Sequence, residues 1–203
     1  YGRRDNIWKA RIKILVHDLG VDKFRDEVEA EFAAAKDYAP VLDDTLVAEI
    51  SERFTYPDFE KTSDDPPELR EALKNPDFRA WYLNCVAPHR IPGHAIVTIS
   101  LKPVGVTGGD CTADRMEVIA DLAEKYGYGE IRNGHEQNLC LPSIRQRDLY
   151  AVWRKLDQAG LALTNVDLIT DIIACPGLDY CSLANARSIP IAMEITRRFA
   201  DLD

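Results

Sequence analysis

Apolar residues recur at helical spacing through the first part of the chain. Ile12, Leu15, Val16 and Leu19 lie three and four positions apart, which places them on one face of a helix. Gly20 interrupts this run and stands where a helix cap belongs. Phe24, Val28 and Phe32 then recur every four residues, so the spacing predicts a second helix starting near Asp22. A shorter helix is expected between Leu42 and Phe54. The stretch from Thr55 to Pro67, with Pro57, Asp64, Asp65, Pro66 and Pro67, reads as an exposed linker or loop. A short helical piece near Glu68–Lys74 follows, then the aromatics of Phe78 to Tyr82, which are expected to dock on a core.

From Pro92 the period changes. In HAIVTISL, Ala95, Val97, Ile99 and Leu101 alternate with His94, Thr98 and Ser100, and β-branched residues are frequent. That is the pattern of a half-buried strand. Gly105, Gly108 and Gly109 mark a turn. Thr112 is placed to cap a helix running to Tyr126, with Met116, Ile119, Ala120 and Ala123 on its inner face. Two short strands, Glu130–Arg132 and Gln137–Leu141, are expected around Asn133-Gly134. A second helix from Asp148 to Ala159 would bury Leu149, Val152, Trp153 and Leu156 and stop at Gly160. A further strand is expected at Leu168–Ala174. The order β-α-β-β-α is that of a split βαβ, ferredoxin-like unit, an α+β fold with two helices on one face of an antiparallel sheet. The other face is left to cover a partner or cofactor.

Composition narrows the setting. The chain has 203 residues, 46% of them apolar and 29% charged, as in ordinary globular domains. No apolar run approaches the roughly 18–20 residues needed to cross a bilayer, so no membrane is implied. The chain opens on Tyr1 with neither an initiator Met nor an apolar signal core, which reads as a piece of something longer with no export segment in view. The net charge of −9 argues against nucleic acid as a partner. Arg3, Arg4, Lys9, Arg11 and Lys13 form a local basic exception and read as a solvated helix face. An odd count of five cysteines in an acidic chain points to reduced thiols and a cytoplasmic setting.

Two of those cysteines are the candidate chemistry. Cys175 and Cys181 stand six positions apart, and Pro176-Gly177 forces a turn between them, so both sulfurs can converge. Thiolates are the soft ligands that iron–sulfur clusters and zinc take. The spacing alone leaves two readings open, a metal or cluster site and a pair of buried free thiols. Cys85, Cys111 and Cys140 sit in ordinary structural contexts.

The longer string is more specific. CPGLDYCSLANARSIPIAMEI, from Cys175 to Ile195, closely resembles the first half of the cluster-binding signature in the hemoprotein component of assimilatory sulfite and nitrite reductases. PGHAIVTISLK from Pro92 to Lys102, LAEKYG from Leu122 to Gly127, Glu130-Ile131-Arg132 and Gln137-Asn138-Leu139 resemble that family's ferredoxin-like half-domain. Lys9-Ala10-Arg11 and Asp18 to Val21 resemble the segment that joins the preceding domain to it. The resemblance implies four regions: 1–54 a helical connecting segment, 55–91 a linker with a short helix, 92–166 the half-domain, and 167–203 the start of a cluster- and siroheme-binding domain.

It also implies a chemistry. Family members hold a [4Fe–4S] cluster on a C-x5-C and a C-x3-C pair, and one thiolate of the second pair bridges to siroheme. There sulfite or nitrite is reduced by six electrons, delivered by a flavoprotein or a ferredoxin. Cys175 and Cys181 would be the first two cluster ligands. Arg132, Asn133, Gln137 and Asn138 would line the siroheme, whose carboxylates suit guanidinium and amide donors. The 22 residues after Cys181 contain no cysteine, so the second pair lies outside this sequence. The family's basic substrate-binding residues also belong to regions outside it, so no catalytic residue is assigned here. The isolated chain, without the remainder of the reductase, is expected to be inactive, with its cofactors absent or incomplete. Two other readings stand beside this one. One is a small stand-alone iron–sulfur or zinc protein that borrows a partner's thiols, and the other a ferredoxin-like module that only mediates assembly.

Overall fold

Gly20 parts two helices, as the apolar spacing requires. α1 (Ile12–Leu19) ends where the Gly20 N–H bonds to Val16 O at 2.9 Å, and α2 (Val21–Ala35) begins directly after it. Gly20 takes φ +83°, a conformation open to glycine at little cost. Asp43 caps α3 (Asp44–Ser51) by accepting the Leu46 N–H at 2.7 Å. None of these three helices buries a residue, and Ile12, Val28 and Phe32 stay exposed. The structure, a computed structural model, describes residues 5–39 and 42–202. Arg3 and Arg4 of the basic segment lie outside them. The chain divides into two compact units, Tyr1–Tyr56 and Pro57–Asp203.

The second unit holds the sheet and the core. Pro66 precedes α4 (Pro67–Ala72), and Asn75 caps α5 (Pro76–Cys85) through the N–H groups of Asp77 and Phe78. Phe78 and Trp81 on α5 are fully buried, and the Phe78 ring meets Tyr150 and Trp153 with centroids 5.3 and 5.6 Å away. The chain then enters β1 (Val86–Pro88), a strand the alternation pattern did not mark because it is only three residues long. β2 (His94–Ile99), β3 (Arg132–Asn133) and β4 (Leu139–Arg145) complete an antiparallel sheet ordered β1-β2-β4-β3. Pro88 sits at the end of the edge strand, a place where sheets tolerate proline. Between Ala95 and Val97 the partner on β4 moves from Ile144 to Leu141, so β4 carries one extra residue there. That bulge falls at Pro142, which cannot donate to a ladder.

The helix expected after Thr112 is α6 (Ala113–Tyr126), and the next is α7 (Leu149–Gln158). On α7 the buried side chains are Leu149, Val152, Trp153 and Leu156, as the spacing predicted. On α6 the inner face is Ile119, Leu122 and Ala123, while Met116 is 40% exposed. Ala95, Val97 and Ile99 on β2 pack with Leu141 and Ile144 of β4 into the same core as these helices. The register puts Thr98, Cys140 and Arg132 side by side on the opposite face. There Thr98 and Cys140 are only half-buried and Arg132 is exposed. The fold is therefore α+β, with helices against one face and the other less covered.

Besides Met116 and the shifted bounds of β3 and β4, further expectations differ from what forms. Leu168–Ala174 is turn and irregular chain rather than a strand. His94 and Ser100, on the polar side of the alternation, are each 1% exposed. His94 is covered because its Nε2 meets the Tyr128 hydroxyl at 3.0 Å and Phe59 packs edge-on against its ring. Residues 57–66 have no helix or strand, yet they are pinned down. Glu60 pairs with Arg145 and Arg147, Asp64 accepts the Gly93 N–H at 2.5 Å, and Thr62 Oγ1 donates to Gly93 O at 3.0 Å.

Candidate functional site

Pro176 and Gly177 turn the chain directly after Cys175, and a single helical turn, Gly177–Asp179, brings it round to Cys181. The Cys181 N–H bonds back to Gly177 O at 2.8 Å. Further on, Leu178 N–H bonds to Ala186 O at 3.0 Å and Ser188 Oγ donates to Cys175 O at 2.6 Å. Residues 175–188 therefore close on themselves before α8 (Ile189–Phe199) starts. Gly177 has to be glycine for two reasons. Its φ is +60°, and a Cβ there would stand 2.6 Å from Ala186 O. Arg187 precedes α8 and lies 3.7 Å from Asp179, and Glu194 pairs with Arg197 and Arg198.

The loop's two thiols differ in exposure. Cys175 is exposed and Cys181 half-buried like Cys111 and Cys140, whereas Cys85 is buried. Burial pushes the Cys85 thiol up to about 12, and its Sγ donates to Leu163 O at 3.1 Å. Burial also raises Cys111 and Cys140. Burial of a thiol in this way disfavours the thiolate, the form that binds metals. The closed loop carries two thiols, the kind of group that holds an iron–sulfur cluster. They are not a whole ligand set: among the described residues no three His, Cys, Asp or Glu side chains come together as a metal site.

The hairpin residues are used in two distinct ways. Arg132 and Asn133 on β3 are exposed, and Arg132 Nε donates to Glu130 at 2.6 Å. Asn138 is 3% exposed and used at both ends. Its Oδ1 accepts the Leu101 N–H at 3.1 Å and its Nδ2 donates to Asp171 at 3.1 Å. Gln137 binds the backbone of Ala174 through both amide atoms. Asn133, Gln137 and Asn138 also line an open groove of about 520 Å³ together with Cys111 and Met116.

Behind these residues lies a buried polar network that the periodicity gave no reason to expect. Lys102 Nζ reaches Asp171 Oδ1 at 2.6 Å and also donates to Glu136 O, with both charged side chains nearly inaccessible. Asp171 accepts further bonds from Asn138 and from the Asp167 N–H at 3.0 Å. Burial by itself would raise the Asp171 carboxyl, but the bonds from Lys102, Asp167 and Asn138 outweigh it and hold it below the ordinary carboxylate range. Asn165 completes the network by donating to Lys102 O and Thr170 Oγ1, both at 3.0 Å. The available signal was the run from Asn165 to Asp171, where an Asn, a Thr and two Asp are too polar for a buried strand.

Comparison with known proteins bears on this arrangement directly. Residues 103–159 match the family model for the nitrite/sulfite reductase ferredoxin-like half domain. A sulfite reductase [ferredoxin] 2 from Mycolicibacterium paratuberculosis is 28% identical over 207 residues, covering 100% of this chain and 31% of its own length. A chloroplastic ferredoxin–nitrite reductase from Zea mays is 29% identical, over 98% of this chain and 30% of its own length. The corresponding enzyme from Spinacia oleracea is 27% identical, over 97% and 28%. The chain thus spans about 30% of the length of the curated relatives it matches. No helix among the described residues is long and apolar enough to cross a membrane.

Proposed function

We propose, for a chain that is related to sulfite and nitrite reductases and carries their ferredoxin-like half domain, that it supplies two of the four thiolate ligands of a [4Fe–4S] cluster and one wall of a siroheme pocket. The observation that carries this reading is the closed loop 175–188. It is the one place among the described residues where two cysteines less than fully buried share a turn. Cys175 and Cys181 are the cluster ligands in this reading. Arg132 and Asn133 are donors toward the siroheme carboxylates, and Gln137 and Asn138 line a groove together with Asn133. When bound, the cluster and siroheme supply the electron path and the metal site for a six-electron reduction of sulfite or nitrite. The chain's own contribution is a pair of thiolates from the loop and positive and amide groups from the hairpin. Regions 1–54, 92–166 and 167–203 serve as connector, half-domain and the start of the cluster-binding part, while 55–91 is a linker only in its first part, since α5 and β1 pack into the core and sheet. The remaining ligands, the catalytic groups and the contact with a ferredoxin or flavoprotein donor belong to the remainder of the reductase, working in the cytoplasm.

The test is reconstitution with iron and sulfide under anaerobic conditions. The chain alone should give at most a weak, labile cluster absorption and no siroheme bands. The same chain extended through a C-x3-C pair and the preceding half should bind both groups. Cys175→Ser or Cys181→Ser should then abolish the cluster signal in the extended protein. A stable, stoichiometric [4Fe–4S] spectrum from the 203-residue chain would instead support a small stand-alone iron–sulfur protein.

A further inference from the structure

The hairpin between β3 and β4 grips the backbone that leads into Cys175, and it does so with a side chain. Gln137 Nε2 donates to Ala174 O at 3.0 Å, and Gln137 Oε1 accepts the Ala174 N–H at 3.3 Å. A primary amide carries a donor and an acceptor side by side, as a peptide group does. The pair therefore reproduces the two-bond contact of neighbouring strands at a place where no strand forms. Gln137 adopts φ +61° to make it, a left-handed conformation uncommon outside glycine. Such a conformation persists only where the surroundings hold it, and here they do. The backbone of the preceding turn lies against Gln137, since a Cβ on Gly109 would stand 3.3 Å from Gln137 Cβ. The neighbouring residues are fixed as well, because Lys102 binds both Glu136 O and Asp171, and Asn138 binds Asp171.

Ala174 is one covalent link from Cys175, whose carbonyl is in turn held by Ser188 Oγ at 2.6 Å. The loop that carries both thiols is thus tied to the sheet by the amide of Gln137. We propose that Gln137 is the positioning residue of the thiolate pair, fixing where Cys175 enters its loop so that the two sulfurs meet one metal. The proposal rests on the reading of Cys175 and Cys181 as paired ligands.

Cobalt(II) serves as a probe of that pairing in the 203-residue chain, without iron, sulfide or turnover. Anaerobic titration is followed by the thiolate-to-cobalt absorption, with Cys175→Ser defining the part of the signal that belongs to the pair. Gln137→Met keeps the volume and removes both bonds. It should weaken cobalt binding about 10–100-fold, the usual cost of losing a group that orients a ligand. Amide exchange at Ala174 and Cys175 should quicken in this variant while that of Ile99 and Leu141 stays unchanged. Gln137→Glu retains the acceptor and loses the donor, so its affinity should fall between the other two. It carries the same comparison if the Met variant does not fold. Wild-type affinity in a folded Gln137→Met or Gln137→Glu protein overturns the proposal and leaves the paired-ligand reading intact. If the wild-type chain shows no Cys175-dependent cobalt signal, the exchange readout decides, and unchanged exchange at Ala174 and Cys175 in a folded Gln137→Met protein overturns the proposal.

Discussion

Removing the Lys102 ammonium would leave the Asp171 carboxylate buried without its cation. Both side chains are almost fully enclosed, 2% and 4% exposed, so water cannot screen the loss. Breaking such a pair costs about 3–5 kcal/mol, whereas replacing both members can be nearly neutral. Lys102→Met should therefore destabilise the protein by about that amount in denaturant unfolding. Lys102→Met combined with Asp171→Asn should cost less than Lys102→Met alone. Additive losses would mean that the pair is not coupled. Part of this residue-scale picture could be read from the chain and part could not. Cys175 and Cys181 stood out because Pro176-Gly177 bends the chain between them and because the surrounding string is distinctive. Gln137 and Asn138 were picked as polar donors in a hairpin. That their amides turn inward to residues 33 and 37 positions away is a matter of which groups the folded chain brings near. No local pattern encodes it.

At the scale of elements, turns and caps do most of the placing. Gly177 lets the loop 175–188 close, both through its φ of +60° and through the absence of a side chain near Ala186 O. Gly177→Ala should strain the loop by more than about 1 kcal/mol. Because the loop lies outside the core, this strain is expected to be relieved by local opening rather than by global unfolding. Hydrogen exchange at the Leu178 N–H, which bonds to Ala186 O, should therefore rise while the amides of β2 and β4 keep their protection. Unchanged exchange at Leu178 would show that the loop tolerates a side chain there. The helices were the most legible elements, since α1, α2, α6 and α7 follow their apolar spacing and their caps. The segment at Leu168–Ala174 was misread as a strand because its apolar residues suit one. Its polar groups bond to Lys102, Gln137 and Asn138 instead of to a strand ladder.

For the whole molecule, acidity offers a direct probe. Asp171 and Glu60 are both held below the ordinary carboxylate range. Asp171 is lowered by the network around Lys102, and Glu60 by hydrogen bonds from Arg145 and then Arg147. A depressed carboxyl contributes stability that is present above its unfolded value, about 4, and is lost as pH falls through the folded value. Thermal stability should thus decline below about pH 4. Added salt should weaken the share from the exposed Glu60 and leave that from the buried Asp171. In Asp171→Asn the decline should be shallower, and an unaltered acid limb in that variant would remove Asp171 from the account.

The sequence by itself determined the α+β class, the run of helices and the family likeness. Periodicity, capping and an extended motif are all local, and each element answers to its own residues. Only the tertiary structure decided that a lysine at position 102 and an aspartate 69 residues later share one enclosed site. It also decided that the chain entering Cys175 is held by the amide of Gln137 rather than by a strand. Buried polar groups must find partners, and which partners lie within reach is set by how the elements pack.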